Sequence, residues 1–303
     1  MTDILAPIVS AIVIVAITAA ILRTIAARSK RTSVRLQRIP LYSTEAMSLA
    51  FDHYRQGNYE AALCATEEIR IRTGTHAEQL ESTRKYNYLR GSFLAQLGRI
   101  DEAEICLRRN IAILEQSIGK RPWLRGVPEK RLLDNGFSSL GELLLKARRF
   151  DEARECFEKS IHHDPEDHLG YLGMADSYLM SSASPAEALR WARLAIAHTQ
   201  TDEFPEPELR KIHLATSLVT LAWATAVTSG NASEVALWIT EAQTIDRAGY
   251  VPVAANVQYY AGCAYAELRD SENSLKHFDE CARIDTQGYW GREARRMMQS
   301  KGQ

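Results

Sequence analysis

Residues 150–165, FDEARECFEKSIHHDP, carry the clearest helical pattern in the sequence. Phe150 opens it, the small residue Ala153 follows three positions later, and Phe157 stands one helical turn beyond that. Apolar residues at this spacing predict an amphipathic α-helix with one buried face. The closing Asp-Pro pair predicts the end of the helix, because a proline cannot continue it.

A second apolar run, FSSLGELLLKARR at residues 137–149, comes directly before this helix. It contains Gly141, which stands sixteen residues ahead of Phe157. The two runs predict a pair of antiparallel helices joined by a short turn. Small residues at Gly141 and Ala153 would let the two helix backbones approach each other closely.

The same small–small–large spacing recurs along most of the chain. A small residue opens the second helix of six predicted hairpins: Ala62, Ala103, Ala153, Ala188, Ala236 and Ser274. Twelve residues earlier, or thirteen in the fourth hairpin, the first helix also carries a small residue: Ala50, Gly91, Gly141, Ala175, Ala224 and Gly262. Repetition at this period predicts a solenoid of stacked helix pairs.

The repeated pattern resembles the tetratricopeptide repeat, a helix–turn–helix unit of about 34 residues. The residues that carry the resemblance are Ala62, Gly91, Ala103, Gly141, Ala153, Phe157, Pro165, Ala188, Ala236, Gly262 and Phe278. We therefore predict an all-α fold: a tetratricopeptide-like α-solenoid of about six hairpins with a C-terminal capping helix, preceded by one N-terminal transmembrane helix.

The predicted organisation has four parts. A short tail at residues 1–3 precedes a transmembrane anchor at residues 4–22, a basic linker at residues 23–43 and a solenoid at residues 44–303. The solenoid is divided into hairpins at residues 44–72, 82–118, 132–163, 167–198, 209–247 and 252–285, with a cap at residues 287–299.

The predicted anchor, ILAPIVSAIVIVAITAAIL at residues 4–22, contains no charged residue. As a helix it would be roughly 28 Å long, close to the thickness of the bilayer core. Six basic residues and no acid follow before Glu45: Arg23, Arg28, Lys30, Arg31, Arg35 and Arg38. A cleaved signal peptide would have the opposite order, and the positive-inside rule places the C-terminal side in the cytoplasm. The sequence predicts a single-pass membrane protein whose repeat domain faces the cytoplasm.

Two alternatives exist for this N-terminal region. The apolar run has the composition of a buried core helix or of a cleaved signal as well as of an anchor. The bases of residues 23–43 are explained by topology alone, although such segments also attract anionic lipids.

Composition narrows the classes of function. The 303 residues are 46% hydrophobic and 25% charged, as is typical of soluble globular proteins. Residues 1–43 carry a net charge of +5, so the remainder carries −6 of the total of −1. A mildly acidic body argues against nucleic acid as the main partner. The five cysteines form no C-x-x-C pair, and we expect them to be buried, reduced side chains.

We find no catalytic, cofactor or metal motif in the sequence and predict that the protein is not an enzyme. The densest candidate is HHDPEDH at residues 162–168, with three imidazoles and three carboxylates. It lies where one repeat ends and the next begins, so we interpret it as a solvated turn that binds no metal. We also predict no cofactor and no small-molecule substrate.

The resemblance implies a binding surface, because first helices of such repeats line a concave groove for peptides. The first-helix positions that would face this groove are Lys85, Tyr88, Ser92, Asn135, Ser138, Glu142, Asp176, Asn256, Tyr259 and Cys263. One branch of the family grips a C-terminal carboxylate with Lys, Asn and Arg. This chain instead has Met47 and Phe51 at two of those positions, which argues against that ligand.

The resulting hypothesis is a non-catalytic, membrane-anchored scaffold that binds a protein or peptide partner in the groove. The alternative is a regulatory or stabilising subunit of a membrane complex that interacts through the transmembrane helix. Both hypotheses leave the identity of the partner open.

Overall fold

The structure is a computed structural model, and it describes residues 44–69, 76–117, 129–200, 207–245 and 250–301. The predicted tail, anchor and basic linker at residues 1–43 lie outside the described residues. Apart from Thr44, the described residues belong to one compact unit, Glu45–Gln303.

The described residues form thirteen α-helices and a short 3-10 turn at Glu67–Ile69, with no strand among them. In chain order the helices are α1 (Thr44–Arg55), α2 (Tyr59–Thr66), α3 (His76–Leu97), α4 (Ile100–Ser117), α5 (Glu129–Lys146), α6 (Phe150–His163), α7 (His168–Ser181), α8 (Pro185–Thr199), α9 (Pro207–Ser229), α10 (Ala232–Thr244), α11 (Val251–Glu267), α12 (Ser271–Ile284) and α13 (Tyr289–Lys301). The prediction of an all-helical fold is confirmed.

Consecutive helices pack as hairpins, so odd-numbered helices are the first members of each pair and even-numbered helices the second. Each of the six hairpin turns contains one residue with positive φ: Gly57, Gly98, Arg148, Ser182, Gly230 and Arg269.

Side chains cap several of the following helices. Ser184 accepts from the backbone N–H of Glu187, and Asp270 accepts from that of Asn273.

Small residues lie where the two helices of a hairpin cross. Ala153 has no exposed surface, and a Cβ added to Gly141 would lie 2.5 Å from the Phe157 ring. The equivalent atom on Gly262 would lie 2.7 Å from the Phe278 ring. The ring of the second helix therefore occupies the space that a side chain on the first helix would need.

The fifth hairpin departs from the predicted register. Val235 is fully buried, whereas Ala236 is only half-buried. The prediction that Ala236 is the crossing residue is therefore wrong by one position. Asn231 caps α10 by accepting from the backbone N–H of Glu234, and the helix that begins there turns Val235 toward α9.

The longest helix, α9, is a core helix. Within the described residues, its segment 210–229 is the one stretch long and apolar enough to cross a membrane. Yet Ala215, Val219 and Ala222 have no exposed surface, and the helix packs against α8, α10 and α11. The helix extends beyond the apolar run at residues 214–227. Its apolar residues are buried against neighbouring helices.

The first two hairpins contact the C-terminal part of the chain. The Tyr59 hydroxyl donates to Asp285 Oδ1 at 3.4 Å, and the Arg292 guanidinium donates to the backbone carbonyl of Gln96 at 2.9 Å. The Arg55 guanidinium lies 4.8 Å from the centre of the Tyr250 ring. We call this set of contacts the seam, and it joins the first two repeats to the last helices.

Candidate functional site

A cavity of about 240 Å³ lies on the inner face of the solenoid. Every side chain that lines it comes from a first helix of a pair or from the final helix: α1, α3, α5, α7, α9, α11 and α13. We call this cavity the channel. Its position explains why residues from distant parts of the sequence form one surface.

Much of the channel wall is apolar. The aliphatic and aromatic side chains that contribute to it include Leu145, Leu172, Met180, Ile212, Val253 and Trp290. A wall of this kind packs against apolar parts of a ligand, while the few polar groups in it fix the ligand's orientation.

Asp176 is the most strongly perturbed acid of the channel. Its carboxylate accepts hydrogen bonds from the Thr220 hydroxyl at 3.1 Å and from the Tyr260 hydroxyl. Burial nevertheless raises the pKa of Asp176 to about 7, because desolvation of the charged form outweighs these two donors. Near neutral pH, small changes in its surroundings therefore decide its charge.

Glu142 lies one repeat earlier on α5. Its side chain is exposed to water but surrounded by the protein of the channel, which raises its pKa. Among the described residues, Lys146 is the charged group that opposes this shift, and no hydrogen bond to Glu142 contributes to it. Burial lowers the pKa of Lys146, whose ammonium group lies 5.5 Å from the centre of the Tyr289 ring.

Gln96 lies at the end of α3 and is 7% exposed. Its side-chain nitrogen donates to the Tyr54 hydroxyl at 3.4 Å. Its Oε1 atom is buried and accepts no hydrogen bond from the described residues. A buried acceptor without a donor is unfavourable by about 1–3 kcal/mol, so this atom favours a ligand that donates to it.

A buried polar cluster lies beside the channel, behind His213. The Asp134 carboxyl accepts from Ser160, and it shares a hydrogen bond with Asp167. Burial raises the pKa of Asp134 well above its ordinary value, and the charge of Asp167 adds to the effect. Burial lowers the pKa of His168 to about 4 and of His213 to about 3, so both imidazoles are neutral at pH 7.

This cluster corrects the interpretation of residues 162–168 as a solvated turn. Asp164 and His168 are 2% exposed, although Pro165 and Glu166 face the solvent. Within the part of the chain that the structure describes, no group of three His, Cys, Asp or Glu side chains is placed to hold a metal ion. The cysteines need a smaller correction, since Cys64 is exposed and Cys106 half-buried, while Cys156, Cys263 and Cys281 are buried.

Of the predicted groove residues, the structure brings three together in the channel: Glu142, Asp176 and Asn256. Four others lie on first helices without lining it: Lys85, Tyr88, Ser92 and Asn135. Ser92 donates to the carbonyl of Tyr88, and Asn135 donates to that of Arg131, so both side chains bond to their own helix. Lys85 lies 3.7 Å from Glu81.

Three predicted groove residues belong to the core instead. Ser138 is 2% exposed and shares a 2.7 Å hydrogen bond with Ser160 on α6. Tyr259 is buried, with its ring centre 5.1 Å from that of Trp290 and 5.6 Å from that of Phe278. Cys263 is buried one turn further along α11. The capping helix α13 covers Tyr259 through Trp290. The spacing of residues within one repeat cannot predict this contact, because α13 lies outside that repeat.

Three of the channel residues that the sequence missed lie close to predicted ones. Gln96 follows Ser92 by four residues, Lys146 follows Glu142 by four, and Tyr260 lies beside Tyr259. Extending the predicted stripe toward the C-terminal end of each first helix would have found the first two, since i and i+4 share a face.

Comparisons with known proteins identify the repeat. Residues 135–167 and residues 85–113 each match a tetratricopeptide-repeat family model. No curated protein matches the chain significantly.

Two solved structures of repeat proteins are among those similar to the chain. YrrB, described as a TPR protein with an unusual peptide-binding site, is 14% identical over 73% of this chain and 94% of its own, with a TM-score of 0.36. A tetratricopeptide repeat protein from Parabacteroides merdae is 15% identical over 85% of this chain and 98% of its own, with a TM-score of 0.35.

Tetratricopeptide-repeat proteins generally mediate binding of proteins or peptides, and they are typically non-catalytic scaffolds. The two matched segments correspond to the second and third hairpins of this chain. Two segments of this chain, whose described residues are helical, are thus similar to the tetratricopeptide repeat.

Proposed function

We propose that this protein is a non-catalytic, membrane-anchored scaffold that binds a protein or peptide segment in the channel. The observation that carries the proposal is the channel itself, whose wall is drawn from first helices throughout the solenoid. Such a wall presents apolar surface together with a few convergent polar groups, as binding sites do.

The size of the channel favours a chain segment as the ligand. A volume of about 240 Å³ is smaller than a typical drug-sized pocket of roughly 300–1,000 Å³. A folded domain cannot enter it, whereas side chains of an extended segment can. YrrB, a TPR protein with a peptide-binding site, offers a precedent for a peptide ligand on such repeats.

The membrane part of the proposal rests on the sequence. Residues 4–22 are uncharged and apolar, and six bases follow them, so we propose a single anchor with the repeats facing the cytoplasm. Anchoring would raise the effective concentration of the channel for partners at the same membrane.

The test uses photo-crosslinking in cells with the full-length chain. A photo-crosslinking amino acid replaces Asn256, which lines the channel, or Lys276, which is exposed on the paired helix α12. We expect a protein adduct from position 256 that is absent from position 276, and mass spectrometry of the adduct identifies the bound segment. Adducts from position 276 alone would place the partner on the outer face and contradict the proposal.

A filled-channel variant provides the second arm. Thr216→Trp with Asn256→Trp adds bulk inside the channel, and Leu237→Trp with Lys276→Trp adds the same bulk to exposed positions of the same two hairpins. We expect the first pair to abolish co-purification of the identified partner and the second to preserve it. If both pairs preserve it while deletion of residues 1–22 abolishes it, the interface is the N-terminal segment and the scaffold proposal fails.

A further inference from the structure

The charged groups that line the channel include more acids than bases. Glu142 and Asp176 contribute two carboxyl groups, and Lys146 contributes one cation. His213 also lines the channel, but burial holds its pKa at about 3, so it is neutral at physiological pH. With both acids ionised, the charge of these groups is −1.

The acids have unused acceptor capacity. Among the described residues, Asp176 accepts from Thr220 and Tyr260, which leaves part of the capacity of about four lone pairs on a carboxylate. No hydrogen bond to Glu142 contributes to its pKa. An anionic ligand would meet two carboxyl groups here, so the charges disfavour it.

Gln96 is an independent sign of a donor ligand. It is more than nine-tenths buried, it lines the channel, and its Oε1 atom accepts no hydrogen bond within the described part of the chain. Its nitrogen is already used in the bond to Tyr54, which leaves the oxygen as the group still to be satisfied. A buried acceptor of this kind is expected to have a donor in the occupied state.

The apolar wall favours a ligand side chain with a long aliphatic part. Leu145, Leu172, Met180, Ile212 and Val253 line the same cavity as the two acids. A lysine or arginine side chain satisfies both parts of this wall, because its aliphatic stem packs on apolar surface while its charged end donates hydrogen bonds.

We propose that the partner segment inserts a lysine or arginine side chain into the channel, where its charged end lies between Glu142 and Asp176. This inference rests on the proposed function and adds the chemistry that the partner must carry. A cation at this place would also favour the ionised form of Asp176, which burial destabilises.

The test selects peptides with the purified full-length chain in detergent. The probe is a randomised nonapeptide library, and we expect lysine or arginine to be enriched at least tenfold at one position of the bound peptides. A synthetic copy of the best binder with norleucine at that position should bind at least tenfold more weakly. Enrichment of acidic or uncharged residues there, or selection of no peptide, would overturn the inference.

Variants of the protein test whether the preference for lysine or arginine arises in the channel. Glu142→Gln with Asp176→Asn should weaken binding of the selected peptide at least tenfold and remove the difference between lysine and norleucine. Glu241→Gln with Asp279→Asn removes the same charge from exposed positions of α10 and α12 and should change neither. Lys146→Met should strengthen binding, because it removes a like charge from the channel.

The pH dependence gives a further readout with a defined sign. The titratable groups that line the channel with Asp176 are Glu142, Lys146, His213, Tyr54 and Tyr260. Burial raises the pKa of both tyrosines above the tested range and lowers that of His213 below it. Ionisation of Asp176, with a pKa of about 7, should therefore make peptide binding roughly tenfold stronger at pH 8 than at pH 6. A flat profile, or one with the opposite slope, contradicts the assignment.

The two proposals fail in different ways. An adduct at position 256 without a preference for lysine or arginine supports the binding function and overturns the cationic ligand. Absence of the adduct removes the binding function itself. If 1,5-diaminopentane binds more tightly than the selected peptide, the channel takes a free diamine and the peptide inference is overturned.

Discussion

At the scale of the residue, the most informative group is Asp134 on α5. It is fully buried, accepts from Ser160 and shares a hydrogen bond with Asp167. One of these two carboxyls must carry a proton to donate in that bond. Burial raises the pKa of both carboxyls, but their shared hydrogen bond raises the pKa of Asp134 and lowers that of Asp167, as expected if Asp134 is the donor.

Replacing Asp134 with asparagine should flatten the dependence of stability on pH. The pKa of Asp134 is raised on folding above its ordinary 3.8, so the folded state keeps a proton that the unfolded chain loses. The free energy of unfolding therefore falls as pH rises above about 4 and through the raised pKa. The amide of Asp134→Asn keeps a donor toward Asp167 without ionising.

Circular dichroism melts of the full-length chain at pH 5 and pH 8 test this expectation. Relative to the unmodified protein, the variant should gain melting temperature as the pH is raised. The exposed substitution Asp279→Asn is the control and should shift neither melt. A constant difference between Asp134→Asn and the unmodified protein at both pH values would show that Asp134 ionises normally in the fold.

At the scale of the element, the hairpin of α5 and α6 depends on one close crossing. Gly141 and Ala153 leave the space that the Phe157 ring fills, and both Ala153 and Phe157 are fully buried. Interiors at native packing density have no room for added methylene groups. The short turn between the helices also needs Arg148 in a left-handed conformation with φ of 59°.

Ala153→Leu should therefore destabilise the protein by about 1–3 kcal/mol, because the larger side chain overpacks the crossing. Thermal or urea unfolding of the full-length chain measures the loss. Glu155→Leu adds a leucine to an exposed position of the same helix and should change stability by less than about 0.5 kcal/mol. Equal effects of the two substitutions would mean that Ala153 does not lie at the crossing.

At the scale of the whole molecule, the seam joins the first two hairpins to the last helices. Asp285 has a double role there: its Oδ1 atom accepts from Tyr59 at 3.4 Å and from the backbone N–H of Gly288 at 2.7 Å. Arg292 connects α13 to the carbonyl of Gln96, which is also a channel residue. Gln96 therefore belongs both to the seam and to the channel wall. Loss of the contact with Arg292 should affect both of them.

Arg292→Met should increase amide hydrogen exchange at the C-terminal end of α3 while leaving α6 and α7 unchanged. The substitution removes the bond to Gln96 and keeps the aliphatic stem, so the end of α3 loses its tether to α13 and the centre keeps its packing. Exchange measured by mass spectrometry on the full-length chain resolves the two regions. Arg296→Met is the matched control, because Arg296 pairs with Glu293 within its own helix. Similar exchange in both variants would argue that Arg292 does not hold the seam.

Helical period and small-residue spacing were sufficient to predict the all-helical fold and the crossings at Ala103, Ala153 and Ala188. These features depend on contacts within one hairpin, where sequence separation is short and the helix geometry is known. The pattern was less reliable in the fifth hairpin, where Val235 is the buried residue and not the expected Ala236. Small and branched apolar residues are neighbours there, so the sequence does not show which of them is buried.

The tertiary structure alone decided which first-helix residues meet in the channel. Glu142, Asp176 and Asn256 were predicted from their helix positions, but Gln96, Lys146 and Tyr54 were not. Their meeting depends on how far the solenoid turns from repeat to repeat, and small rotations add up over six hairpins. For the same reason the burial of Tyr259 under α13, and the contact of Tyr59 with Asp285, are properties of the folded chain that no single repeat contains.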